Sequence, residues 1–353
     1  MPALDATLSA PRVAVAGCGY WGKNLVRNFH TLGALAAVID PSPAGRATAA
    51  QLAPGIPVFE TLPAALAAPC LGTCAAASFT ALALATPAAT HHAAACEALA
   101  AGLDLLVEKP LALELAHGAD LVARAARLGR ILQVGHILEY HPALPVLTRW
   151  VAEGRLGRLR RLQAHRTNWG MIRTEEDALW SIAPHDIAVI LRLVGALPHT
   201  VSCLGSHLLN TPRADIATAR LEFADGLEAQ LLASWHHPVK EQRLILFGER
   251  GMAVFDDLSA DKKLGFFDEY VRWSDTGRPE LIKNLPEYAP LVGEEPLLRE
   301  CKAFLDSCRT RQPPLADGAS GLRVLAVLDA CRRSMLAAGA PTPCTLPPAA
   351  PAP

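Results

Sequence analysis

Arg12-Val13-Ala14-Val15-Ala16-Gly17-Cys18-Gly19-Tyr20-Trp21-Gly22-Lys23-Asn24-Leu25-Val26 is the stretch from which the fold follows. It opens on a short apolar run of the kind buried in a parallel sheet, and Leu25, Val26, Phe29 and Leu32 then recur at helical spacing up to Gly33. Between strand and helix lies Gly-x-Gly-x-x-Gly. Gly17 permits the tight turn, Gly19 lets backbone approach a pyrophosphate, and Gly22 lets the helix pack closely on the strand. The helix N-terminus presents amides and a partial positive charge to phosphates, with Tyr20 and Trp21 beside them. The next strand, Leu35 to Ile39, ends at Asp40, whose carboxylate suits ribose hydroxyls and repels a 2'-phosphate. That favours NAD over NADP, and neighbouring Arg46 is the one feature that weakens the preference.

The alternation continues with a helix near Leu62 to Leu66, strands at Ala81 to Ala85, Leu105 to Val107 and Ile131 to Val134, and helices closed by Gly102 and Gly129. Strand and helix in turn imply right-handed crossovers and a doubly wound parallel sheet of the Rossmann kind over residues 1–134. Beyond it the rhythm changes. A helix at Leu144 to Ala152, a strand at Arg160 to Thr167, a helix at Pro184 to Leu193 and several strands between Val201 and Phe255 are joined by hairpin turns at Ala224-Asp225-Gly226 and Gly248-Glu249-Arg250-Gly251. With helices at Leu297 to Cys308 and Ser320 to Ala337, residues 135–340 read as an α+β domain with an open, mostly antiparallel sheet. The proline-rich stretch 341–353 reads as a disordered tail.

Composition narrows the function classes. Lys plus Arg (33) against Asp plus Glu (34) gives a net charge of -1, which leaves no electrostatic footprint for nucleic acid or an anionic membrane. Nine scattered cysteines without a C-x-x-C pair read as reduced thiols of a cytoplasmic protein. No secretory leader or apolar run of spanning length is evident.

At the end of the strand Leu105 to Val107 stands Glu108-Lys109-Pro110, at the carboxyl edge where parallel sheets bind ligands. Pro110 keeps Lys109 out of the helical region and permits a cis bond. Together with Ala85-Thr86-Pro87, Thr90-His91, Gly135-His136, Tyr140-His141-Pro142, Trp180 to Asp186, Ser234-Trp235 and Gly248 to Gly251, this order of landmarks resembles the Gfo/Idh/MocA oxidoreductases over nearly the whole chain. The resemblance implies that Thr86, Pro87, His91 and Glu108 line the nicotinamide and its ribose, and that Lys109 hydrogen-bonds the reacting hydroxyl. It also implies a homodimer or homotetramer packed through the C-terminal sheet.

Oxidising an alcohol releases a proton as well as a hydride, so a base must face the same carbon. His185 falls where the resemblance places the catalytic histidine, with Asp186 next to it. Ser181 occupies the position, four residues earlier, where many relatives carry aspartate. Tyr140, Arg166, Asn168, Arg173 and Asp186 complete the expected substrate contacts, since arginine forks suit phosphate or carboxylate. No zinc-type His/Cys spacing is present, and no metal is expected. The opening Gly-Tyr-Trp-Gly-Lys-Asn with Leu-Trp-Ser-Ile-Ala-Pro-His-Asp resembles the nucleotide-sugar branch and implies oxidation at C3 of a UDP-N-acetylhexosamine or its uronate. The alternatives are a polyol or inositol dehydrogenase, a 3-ketosugar reductase, and, in another class, a non-catalytic NAD-binding sensor.

Overall fold

The computed structural model describes residues 11–68, 79–209 and 212–348. Cys70, Cys74, the opening residues 1–10 and the end of the tail, 349–353, lie outside the described residues. The chain divides into two compact units, one holding residues up to 137 with 295–322, the other 138–294 with 323–346. The sequence places everything from 135 to 340 in one domain, whereas the stretch 295–322 belongs to the first unit. The reason is burial: the helix Pro296–Thr310 sinks Leu297, Cys301 and Phe304 into the first unit's core, and Phe304 meets Phe29 edge-on at 6.3 Å.

The first unit contains β1 (Val13–Ala16), β2 (Leu35–Ile39), β3 (Val58–Phe59), β4 (Ala81–Leu84), β5 (Asp104–Val107) and β6 (Leu132–Val134). They form one parallel sheet in the order β3-β2-β1-β4-β5-β6. All but β3 are buried throughout, as expected of a sheet covered on both faces. The covering helices are α1 (Gly22–Thr31), α2 (Pro43–Leu52), α3 (Leu62–Ala67), α4 (His91–Ala100) and α5 (Leu115–Arg127). Ser42 and Thr61 start α2 and α3 by accepting from the backbone N–H of Gly45 and Ala64. Strand order reverses between β1 and β4, which is where such a sheet opens a ligand crevice.

The second unit contains α6 (Ala143–Ala152), α7 (Ala178–Ile182) and α8 (Pro184–Val194). Its strands are β7 (Leu159–Trp169), β8 (Thr200–Ser206), β9 (Ile216–Glu222), β10 (Glu228–Ser234), β11 (His236–Gly248), β12 (Met252–Asp256) and β13 (Leu264–Phe267). After them come the separate hairpin β14 (Glu269–Trp273) and β15 (Pro279–Lys283), then β16 (Glu287–Tyr288) and β17 (Thr342–Pro343). Apart from that hairpin, they form a nine-stranded sheet ordered β16-β13-β12-β11-β7-β10-β9-β8-β17. Every pair is antiparallel except β7 with β10. Both expected hairpin turns are present: Asp225 and Gly226 take φ of 59° and 72° between β9 and β10, and Gly248 N–H donates to Gly251 O between β11 and β12.

Alternation sets the sheet's two faces. Ala229, Leu231 and Ala233 of β10 and Ala217, Ala219 and Leu221 of β9 are buried, with α7 against these strands. The opposite face is polar, with Arg161 paired to Glu228 and Arg220 to Glu222 and Glu228. The tail is not wholly unstructured. Thr342 pairs with Val201 as the outermost strand, and Thr342 and Cys344 are buried. A sheet edge tolerates Pro343 because no ladder N–H is required there.

Candidate active site

The glycine turn is built by close approaches that side chains would prevent. Gly17 has φ of 93°, and a Cβ there would fall 2.6 Å from Ala85 O at the end of β4. At Gly22 a Cβ would lie 1.9 Å from Gly17 O, so α1 rests directly on the end of β1. Gly19 differs: nothing lies within 4 Å of its Cβ direction, which leaves open space above the turn. No side chain caps the N-terminus of α1, where Lys23 N–H and Asn24 N–H donate to Gly19 O (3.3 Å) and Trp21 O (2.8 Å), and the helix end keeps its partial positive charge for an anion. Tyr20 is exposed with Lys23 over its ring, and Trp21 is half-buried.

Asp40 is buried at the end of β2. Its carboxylate accepts from Cys18 N–H (2.7 Å), Ser42 N–H (2.8 Å) and the Ser42 hydroxyl (2.7 Å). Burial alone would raise its pKa, but these donors and Arg46 outweigh it and hold Asp40 below the usual carboxylate range, hence ionised. Arg46 is committed elsewhere: its guanidinium donates to the carbonyls of Asp40 and Pro41 and lies 3.8 Å from Glu60. An open glycine cradle, an uncapped helix end and an ionised acid on the next strand fit a dinucleotide.

At the end of β5 the Lys109-Pro110 peptide bond is cis. Glu108 is buried beneath Gly135, where a Cβ would lie 2.8 Å from its carboxylate. Trp21 Nε1–H donates to Glu108 Oε1, and Lys109 N–H donates to Oε2 at 3.2 Å. Burial drives the Glu108 pKa up to about 7, against the pull of the Trp21 hydrogen bond and Lys109. His91, almost fully buried, sets its ring nitrogens 2.9 Å from Pro110 O and 2.9 Å from Thr86 O, which ties the end of β4 to the Lys109 turn. Thr90 Oγ1 lies 2.8 Å from Thr86 Oγ1 and donates to Pro87 O. Thus Thr86, Pro87, His91, Glu108 and Lys109 do gather around the carboxyl ends of β4 and β5.

Sequence reasoning gave Gly135 and His136 no role. The signal was available, because Gly-His directly follows a predicted parallel strand, the same position as Glu108-Lys109 on the strand before. Burial, reinforced by Lys109, pushes the His136 imidazole down to about 3, so the ring is neutral. A folded pKa depressed from 6.5 gives stability that is complete above about pH 6.5 and is lost as pH falls toward 3, because only the unfolded chain takes the proton. Between those limits the wild type should lose about 1.4 kcal/mol more per pH unit than His136→Gln, measured by denaturant unfolding. Parallel acid limbs would show that His136 titrates normally.

In the second unit, Asp177 accepts from Trp180 N–H (3.0 Å) to start α7, and Pro184 occupies the first turn of α8, with His185 next and half-buried. Burial raises the Asp177 pKa. Asp186 and Arg166, both expected among the substrate contacts, are engaged with each other: both Asp186 oxygens take the Arg166 fork, at 2.6 and 3.0 Å, with the two side chains 4% and 12% exposed. Arg166 and Asp186 therefore hold β7 to α8 and fix the turn that carries His185. Tyr140 and Ser181 are buried, Asn168 is half-buried against Gly170, and exposed Arg173 lies 3.8 Å from Glu176.

Residues 11–136 match the oxidoreductase family with an NAD-binding Rossmann fold, and residues 146–254 match the GFO/IDH/MocA C-terminal domain. The chain is 28% identical over 316 residues to a UDP-N-acetylglucosamine 3-dehydrogenase of Acidithiobacillus ferrooxidans, covering 89% of this chain and 94% of that protein. The solved structure of that enzyme, GnnA, superposes with a TM-score of 0.78 over 92% of this chain and 97% of its own. The myo-inositol dehydrogenase Hyg17 of Streptomyces leeuwenhoekii is 31% identical over 252 residues, 68% of this chain and 74% of that one. The WlbA dehydrogenase of Bordetella pertussis, solved with NADH and UDP-GlcNAcA, is 21% identical over 96% of this chain and 100% of its own, with a TM-score of 0.76, a likeness of fold. With a Rossmann unit carrying the glycine turn, Asp40 and Glu108-Lys109-Pro110, and the family's C-terminal domain after it, the chain belongs to the Gfo/Idh/MocA oxidoreductases.

Proposed function

We propose that the chain is an NAD-dependent dehydrogenase of a nucleotide sugar, oxidising C3 of a UDP-N-acetylhexosamine or its uronate in polysaccharide biosynthesis. The observation that carries the reading is the meeting, in one unit, of the glycine cradle and ionised Asp40 with Lys109 at the end of β5. Bound NAD supplies the hydride acceptor. Lys109 donates a hydrogen bond to the reacting hydroxyl and stabilises negative charge as it develops on that oxygen. His185 accepts the hydroxyl proton, and the Arg166–Asp186 pair positions it. Thr86, Pro87, His91 and Glu108 shape the nicotinamide end, while Tyr140, Asn168 and Arg173 hold the sugar and its phosphates.

The likeness to the UDP-N-acetylglucosamine enzyme supports the substrate, and the inositol dehydrogenase marks the alternative. Purified protein assayed against UDP-sugars and free polyols, following absorbance of the reduced cofactor, separates them; turnover confined to polyols sinks the nucleotide-sugar reading. His185→Asn should lower kcat by roughly 10²–10⁴ and remove one ionisation from its pH profile with NAD affinity retained. Asp40 and the engaged Arg46 favour NAD, so Asp40→Asn should raise the NADP-to-NAD ratio of kcat/KM by about tenfold or more. An unchanged ratio would remove Asp40 from cofactor choice.

The seven described cysteines are free thiols, and among the described residues no helix is long and apolar enough to cross a membrane, which supports a cytoplasmic setting. The open sheet face, where Leu204 is 61% exposed among polar neighbours, is the surface through which copies would pair as a dimer or tetramer.

A further inference from the structure

His91 and His92 are neighbours with different surroundings. His91 turns into the Lys109 turn, whereas His92 faces α5. On α4, His92 and Cys96 lie one turn apart, so both side chains share a face. From α5, Asp120 meets them: His92 Nε2 is 2.8 Å from Asp120 Oδ2, Cys96 Sγ is 3.6 Å from His92 Nε2, and Cys96 Sγ is 3.7 Å from Asp120 Oδ2. Nitrogen, sulfur and oxygen thus face one another within 4.8 Å, all three residues half-buried and reachable from solvent.

We propose that His92, Cys96 and Asp120 bind a borderline divalent cation of the zinc class, which cross-links α4 to α5. This site is independent of the dehydrogenase reading. Zinc bonds of about 2.3 Å to sulfur and about 2.0–2.2 Å to nitrogen and oxygen, at tetrahedral angles, require ligand-to-ligand edges of about 3.4–3.6 Å. Two of the three edges are already close to that length. The third, imidazole to carboxylate, is shorter because a proton holds it, and it needs to open by only about half an ångström to admit the ion. Donor softness agrees, since a thiolate, an imidazole and one carboxylate oxygen select zinc over magnesium or calcium.

The surroundings are those of a supported site. Arg124 Nε donates to Asp120 Oδ1 (2.8 Å) as well as Oδ2, so Oδ1 can stay with the guanidinium while Oδ2 binds the metal. His117 stacks on His92, rings 4.1 Å apart and 10° from parallel, and steadies the imidazole plane. Such outer contacts orient ligands and tune the metal. Three protein ligands leave the fourth position to water. Without the cation, burial lifts the Cys96 thiol above its ordinary pKa, and the thiol donates to Asp120; binding therefore releases that proton.

Tag-free full-length protein stripped with chelator should take up one equivalent of Co²⁺ with the intense near-ultraviolet band of thiolate-to-cobalt charge transfer. Cys96→Ser should lose the band. In a Zn²⁺ titration by calorimetry, His92→Gln and Asp120→Asn should each bind roughly tenfold or more weakly than wild type. Melting temperature in the wild type should rise with added Zn²⁺, and should not rise in Cys96→Ser. Absence of the cobalt band in wild type overturns the site, as does its persistence in Cys96→Ser, or zinc affinity unchanged in all three variants.

Discussion

Lys109→Ala should lower kcat for the sugar substrate by roughly 10³–10⁴ while leaving NAD affinity within about threefold of wild type. The asymmetry follows from position. Pyrophosphate and adenosine ribose are served by Gly19, the end of α1 and Asp40, none of which depends on the ammonium. The reacting oxygen, by contrast, gains negative charge as its proton leaves ahead of the hydride, and a fixed cation there is worth several kcal/mol. A second effect sharpens the test. Lys109 helps to hold His136 neutral and draws Glu108 toward ionisation, so its removal should raise the pKa of both: His136 easier to protonate, Glu108 harder to ionise. Single-turnover kinetics with NAD binding measured separately decides the matter. Turnover that persists in the variant would remove Lys109 from the chemistry.

Gly22→Ala and Gly19→Ala should fail in different ways, although both lie in one six-residue motif. A methyl at Gly22 would sit 1.9 Å from the Gly17 carbonyl oxygen and 3.2 Å from Ala85 Cβ, and the Gly17 backbone cannot swing aside as a side chain can, so α1 must lift from β1. Overpacking of that kind should destabilise the unit by about 3 kcal/mol and abolish NAD binding with it. At Gly19 the same methyl meets nothing within 4 Å. That variant should melt as the wild type does and yet bind NAD poorly, because the methyl takes the space through which backbone approaches the phosphates. Equal stability losses in the two would mean that the motif is only a packing device.

The chain was most readable where local chemistry dictates structure. The run from Val13 to Asp40 has strand, turn, helix and acid in an order that few arrangements besides a dinucleotide site explain, and the structure places them so. Residues gathered at β4 and β5 were legible because parallel strands end on the same edge. Where pattern is weak, elements were missed: α2 is Pro-Ala-Gly-Arg-Ala-Thr-Ala-Ala-Gln-Leu, with little apolar periodicity, and only Ser42-Pro43 announces its start. The hairpin β14–β15 went unread for a related reason, since mostly exposed strands lack the alternation that a buried face imposes. The Arg166–Asp186 pair could not be read at all, for its partners lie on separate elements, and an arginine near a pocket reads equally well as ligand or as strut. The same holds for the His92, Cys96 and Asp120 cluster. Two members share a helix, but without the third there is no recognisable spacing.

Interleaving of the two units has a bearing on how the molecule is made. The core around Phe29 waits for Phe304, and the sheet edge at Val201 waits for Thr342. A ribosome would have to deliver almost the whole polypeptide before either half could reach its final packing, so maturation belongs after synthesis rather than during it. A gene fragment cut after residue 137 would yield an N-terminal piece that lacks the 295–322 segment of its own interior, and chimaeras with relatives should be joined elsewhere.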